Sequence, residues 1–165
     1  MMSDHDRQAP TIIMADDDLD DCRLTQDAWE ESGSTHQIRF VRDGEELLDY
    51  LHHRGKFSNA QDFPLPSMIL LDLHMPKRNG HEVLKEMRAH EQLRHIPVLV
   101  FTHSLNEEDT CRTYALGANA CMTKPHSTQE YQSLINTLSQ YWASMVHLPS
   151  LPVHDEFFTP KRSWL

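Results

Sequence analysis

The sequence predicts an α/β fold with a doubly wound, five-stranded parallel sheet, and three observations predict it. Short apolar runs rich in β-branched residues recur along the chain. Each is followed by a segment whose apolar residues recur at helical spacing. The apolar runs are largely continuous rather than alternating, the pattern of strands buried on both faces. Right-handed helical crossovers between such strands leave a sheet covered on both sides.

The elements follow in order. Thr11 to Ala15 (TIIMA) is the first strand and stops at Asp16, Asp17 and Asp18. Asp18 caps the next helix, whose apolar face is Leu19, Cys22, Ala28 and Trp29, with Gly33 near its end. Gln37 to Arg42 is a strand, and Asp43 opens a helix carrying Leu47, Leu48 and Leu51. Arg54 to Ser67 holds Gly, Asn and two prolines and reads as a long loop; loops of that length commonly have a purpose. Met68 to Asp72 (MILLD) is the clearest buried strand. Pro76 and Gly80 precede a helix through Val83, Leu84 and Met87. Ile96 to Phe101 is a strand, Asn106 to Leu116 a helix ended by Gly117, and Ala118 to Thr123 a last strand stopped by Lys124-Pro125. Ser127 caps a final helix with Tyr131, Leu134, Ile135, Leu138, Tyr141 and Trp142 on or near its apolar face.

At 165 residues the chain suits one domain with a real core. The expected division is a flexible N-terminus over 1–9, the domain over 10–143, and a tail over 144–165 that is flexible or docks on a partner. In the tail Pro149, Pro152 and Pro160 are interleaved with Phe157, Phe158, Trp164 and Leu165. Too little chain follows Trp142 for a separate output domain. No window approaches the ~18 apolar residues of a membrane helix, and Met1 to Pro10 is polar, without an export signal. A net charge of −10 repels nucleic acid and anionic lipid. Cys22, Cys111 and Cys121 fit no C-x-x-C site and suit a reducing cytoplasm. The 12 histidines form no H-E-x-x-H pattern and are expected to be scattered and solvated.

In a doubly wound sheet the ligand crevice lies at the carboxyl ends of the strands. There the sequence places Asp16, Asp17, Asp18, Asp72, Thr102 and Lys124. Carboxylates ~4 Å apart repel by a few kcal/mol at an effective dielectric near 20. A cation or a shared proton relieves this, and an oxygen-only set that leaves room for water suits Mg²⁺. Asp17 and Asp18 taken alone are equally explained as helix caps; the whole set converging on one edge is not.

The combination IIMADDD, LLDLHMPKRNG, VFTHS and GANACMTKP resembles the receiver domain of bacterial two-component response regulators, over roughly Thr11 to Trp142. The long Arg54–Ser67 loop and the TLSQYW ending are similar to the small regulators paired with phytochrome-type sensor kinases. The resemblance implies the (βα)5 flavodoxin-like receiver fold. It implies that Asp72 is the phosphoacceptor, and that Mg²⁺ is bound by Asp16, Asp17, Asp72 and the backbone carbonyl of His74. It implies that Thr102 and Lys124 meet the phosphoryl oxygens, with the Lys124-Pro125 bond cis. The implied partner is a sensor histidine kinase and the implied signalling surface Asn106 to Trp142, with self-association through residues 106–142 as a further implication.

Two positions depart from the family pattern. Cys121 stands where an aromatic residue usually swings with the threonine, so that coupling is expected to be missing. His74 and Ser104 occupy places that influence phosphate loss, and His74 is expected to alter water access. A haloacid-dehalogenase-like hydrolase would need an aspartate where His74 stands, and a flavodoxin-like cofactor module would need a Ser/Thr/Gly-rich loop where three aspartates stand. A degenerate receiver that binds partners without phosphorylation is the alternative to the phosphorylated form.

Overall fold

The computed structural model describes residues 9–148. Residues 1–8 of the expected flexible N-terminus and the tail aromatics Phe157, Phe158 and Trp164 lie outside the described residues. Five strands, β1 (Thr11–Ala15), β2 (Gln37–Val41), β3 (Met68–Leu71), β4 (Val98–Thr102) and β5 (Ala120–Thr123), form one sheet. They alternate with α1 (Leu19–Glu31), α2 (Gly44–Leu51), α3 (Gly80–Ala89), α4 (Glu107–Ala115) and α5 (Thr128–Leu138). Every pairing is parallel and the order is β2-β1-β3-β4-β5. The doubly wound architecture is therefore present, and strand order reverses between β1 and β3.

Alternate side chains of the central strands feed two separate cores. Ile13, Ala15, Ile69, Leu71, Val98 and Val100 face α2 and α3, packing on Leu47, Leu51, Val83, Leu84 and Met87. Ile12, Met14, Met68, Leu70, Leu99 and Phe101 face α1 and α5, packing on Ala28, Trp29, Tyr131 and Ile135. With both faces covered, β1, β3 and β4 need apolar residues at consecutive positions, which is why their sequences do not alternate.

Capping sets the helix starts. Asp18, Asp43, Asn79, Asn106 and Ser127 each accept hydrogen bonds from backbone N–H groups in the first turn. Ser127→Ala removes one such bond, made with Glu130 N at 3.2 Å, and is expected to lower stability by about 1 kcal/mol, read as a lower urea midpoint at unchanged slope.

Boundaries differ from the sequence expectation where prolines and glycines intervene. β4 begins at Val98, after Pro97, and β5 at Ala120. The buried stripe of α1 is Asp21, Thr25, Ala28 and Trp29, while Leu19 is 43% exposed. Past α5 the chain continues as a π-helical stretch, Ser139–Met145, which leaves Tyr141 exposed. The Lys124-Pro125 bond is trans, since no cis peptide bond occurs among the described residues; trans is intrinsically preferred by about 0.5–1 kcal/mol.

The Arg54–Ser67 segment is pinned rather than loose. It holds a 3₁₀ turn, Gly55–Phe57, and the rings of Phe57 and Phe63 pack on Tyr50 at 5.1 and 5.7 Å. The Tyr50 hydroxyl donates to the Pro64 carbonyl at 2.9 Å. Nor are all histidines solvated. His52 packs its ring on His90 at 4.9 Å and lies 3.3 Å from Glu86, because an imidazole can bury its apolar faces. At the sheet border, Tyr114 on α4 accepts a hydrogen bond from Cys121 N at 3.2 Å.

Candidate functional site

The strand register builds the site. Ala15 pairs with Leu71, so Asp16 and Asp72 emerge side by side past the ends of β1 and β3. Thr102 pairs with Thr123, which sets Lys124 beside the end of β4. Backbone hydrogen bonds extend the ladder one step further, from Asp72 N to Ala15 O at 3.0 Å and from Lys124 N to Thr102 O at 2.7 Å. The sequence-predicted residues Asp16, Asp72, Thr102 and Lys124 therefore meet, and all four are buried.

Close packing lets the β3–α3 connection return onto the site. A Cβ at Gly80 would stand 2.6 Å from the Asp72 carbonyl, so only glycine fits there. Asp72 Oδ1 accepts from Thr102 Oγ1 at 2.7 Å and from His74 N at 3.2 Å. Its Oδ2 accepts no hydrogen bond among the described residues and stands 3.7 Å from Lys124 Nζ. Lys124 donates to Asp16 Oδ2 and, at 2.8 Å, to Asp21 Oδ2. Asp17, Asp18, Asp72, His74, Thr102 and His103 line a cavity of about 260 Å³. His74 is exposed at its rim.

Electrostatics favour a cation here. Asp16, Asp17 and Asp72 bring carboxylate oxygens within 4.8 Å of one another. Asp21 adds a fourth acid, and among the described residues Lys124 is the sole ammonium in contact with them. Such an excess of oxygen donors beside open space suits a hard divalent ion. The group therefore fits a metal held by Asp16, Asp17 and Asp72.

Burial pushes the Asp16 carboxyl up from 3.8 to about 6, because Asp16 gives up more hydration than Lys124 and its hydrogen bonds restore. Burial also works against the Lys124 charge, but Asp16 and Asp21 outweigh it and its pKa rises. Between about pH 4 and 6 folded Asp16 thus holds a proton that the unfolded chain has released. Asp16's contribution to stability is fully present below 3.8 and is lost as pH rises through 6. The expected slope approaches about 1.4 kcal/mol per pH unit at most. Urea melts across that window in chelator would show it, and Asp16→Asn would flatten it.

Three participants were not foreseen from the sequence. Asp21 on α1 is buried and touches Lys124. His103 Nε2 lies 2.7 Å from Asp21 Oδ2 and 3.9 Å from Asp18 Oδ2. The Tyr131 hydroxyl donates to the Asp21 carbonyl at 3.2 Å. Nothing in the sequence sets Asp21 apart from its acidic neighbours Asp18 and Asp20; only the fold places it in the buried stripe of α1. Cys121 is half-buried against the α2/α3 core, and burial raises its thiol pKa, which marks a packed thiol rather than a reactive one.

Residues 12–136 match the family described as "Response regulator receiver domain". The chain is 34% identical over 149 residues to response regulator Rcp1 of Synechocystis sp., covering 90% of this chain and 99% of that protein. The Mn²⁺-bound form of Rcp1 superposes with a TM-score of 0.79 at 33% identity, over 85% of this chain and 99% of that one. The phosphorylated cyanobacterial phytochrome response regulator RcpA gives 0.80 at 35% identity, over 86% and 99%.

Proposed function

We propose, from the premise that this chain belongs to the response regulator receiver domain family, that it accepts a phosphoryl group on Asp72 from the phosphohistidine of a sensor histidine kinase and signals through the changed surface. The observation that carries the reading is the Asp72 carboxylate. One oxygen is fixed by Thr102 and His74 N, the other accepts no hydrogen bond among the described residues, and Asp72 lines the cavity.

Asp72 Oδ2 is the attacking oxygen. A P–O bond forms to it as the P–N bond of the donor phosphohistidine breaks, giving an acyl phosphate. Transfer of this kind has a loose transition state with charge on three equatorial oxygens, so positioned charges do most of the work. Lys124 meets one of those oxygens and Thr102 another. Mg²⁺, held by Asp16, Asp17, Asp72 and the His74 carbonyl, supplies charge neutralisation and alignment when bound. The Mn²⁺-bound form of Rcp1 and the phosphorylated state of RcpA support a divalent ion and phosphorylation for this chain as well. The protein catalyses its own phosphorylation and dephosphorylation and turns over no separate substrate.

Phosphorylation replaces the single charge of the Asp72 carboxylate by a phosphoryl group that carries close to two, with three acceptor oxygens beside Thr102 and Lys124. Both residues lead directly into the loops before α4 and α5, so residues 106–142 are the responding surface and the place for self-association. A phytochrome-type kinase is the partner that the likeness to a phytochrome response regulator supports. The division into a domain over 10–143 with short flanking segments, acting in the cytoplasm, completes the reading.

The test is mass spectrometry after incubation with a small phosphodonor and Mg²⁺. One added phosphoryl group is expected, and none in excess chelator. No uptake at any Mg²⁺ concentration by a folded protein would leave only phosphorylation-independent binding.

A further inference from the structure

We propose that Asp21 is a positioning residue of this site: it anchors the Lys124 ammonium from helix α1 and so leaves Asp16 and Asp72 available to a divalent ion. The inference rests on the phosphoryl-acceptor reading and extends it to a residue outside the proposed metal set.

The Lys124 side chain is fully buried, so its three N–H donors depend on protein partners. Three carboxylates surround it: Asp16 and Asp21 in hydrogen-bond contact and Asp72 at 3.7 Å. Asp16 and Asp72 belong with Asp17 to the acidic group that fits the ion. Asp21 alone touches Lys124 without belonging to that group. Its own place is fixed three ways. Its side chain is 9% exposed, its carbonyl accepts from Tyr131, and its Oδ2 faces His103 Nε2 at 2.7 Å. An anchor held from α1 and α5 keeps the ammonium at the back of the site.

Without Asp21 a buried ammonium would have only Asp16 and Asp72 to lean on. Lysine and the divalent ion would then compete for the same two carboxylates, and the field attracting the ion would lose one negative charge. Both effects weaken metal binding. Asp21 also groups with Asp18 and His103, within 4.8 Å, as if for a second cation. Lys124 Nζ, 2.8 Å from the same Asp21 oxygen, opposes that use by charge repulsion.

The experiment is calorimetric titration of the full chain with Mg²⁺, paired with phosphoryl uptake from a small donor across Mg²⁺ concentrations. Asp21→Ala is expected to raise the Mg²⁺ Kd about tenfold, the scale of losing a residue that orients metal ligands. Uptake should shift to higher Mg²⁺ by the same factor, yet reach a plateau within a few-fold of wild type. Asp21→Asn keeps an oxygen for Lys124 and should lie between, and it decides the matter if the alanine variant fails to fold. Asp20→Asn removes an equal charge from an exposed neighbour and should leave Kd unchanged. A wild-type Kd in folded Asp21→Asn, or an equal weakening by Asp20→Asn, overturns the proposal. A wild type that neither binds Mg²⁺ nor takes up phosphoryl brings down the parent reading instead.

Discussion

Asp72→Asn is expected to abolish phosphoryl uptake while leaving the fold at least as stable as wild type. The amide nitrogen has no nucleophilic lone pair to offer, so the loss should be on the order of 10³-fold or more, as for other removed nucleophiles. The structural cost is small. The substituted carboxamide would keep an oxygen where Thr102 Oγ1 and His74 N now donate, at 2.7 and 3.2 Å. Lys124 would keep Asp16 and Asp21. The charge of Asp72 is among the influences that raise the Asp16 pKa, so its removal relieves repulsion, by about 1 kcal/mol at the effective dielectric of a partly wet site. Mass spectrometry and urea melts on the same sample separate the two effects. A variant that takes up phosphoryl at the wild-type rate would move the acceptor to another residue.

Lys124→Met is expected to be the most destabilising change at the site, by about 3–5 kcal/mol near neutral pH in chelator. Methionine fills the stem's volume, so no large cavity forms. What remains is a set of carboxylates without their counter-charge: Asp16 at 0% exposure, Asp21 at 7% and Asp72 at 5%. Two conditions should reduce the deficit. Acid allows the carboxyls to protonate, and Mg²⁺ replaces the missing positive charge. Melts at pH 7 and pH 5, with and without Mg²⁺, would show both. An equal deficit under all four conditions would mean that Lys124 acts through packing alone.

The contrast between these substitutions explains what the sequence made legible. Strands β1, β3 and β4 were readable because burial on both faces demands unbroken apolar runs, and the parallel sheet follows from their alternation with capped helices. Convergence of Asp16, Asp72, Thr102 and Lys124 was readable because each ends a strand at the same edge. Asp21 was not. It lies within a helix, where a carboxylate ordinarily faces solvent, and only the tertiary approach of Lys124 gives it a buried partner. Leu19 misled for the converse reason. It is apolar, yet it points outward at the first turn, while Thr25 takes the buried position by hydrogen bonding to Tyr131 at 2.9 Å. The histidines divide similarly, since periodicity carries no information about the ring contact of His52 with His90.

The bond from Cys121 N to Tyr114 has a bearing on how copies of this chain avoid zipping together. A border strand such as β5 normally offers free amide hydrogens to any extended segment that drifts past, the first step toward fibrils. Here the run is four residues long, and the phenol of a neighbouring helix already occupies one of its donors. A stray polypeptide would have to dislodge that ring before it could add a rung. Tyr114 thus guards the flank of the molecule against runaway assembly.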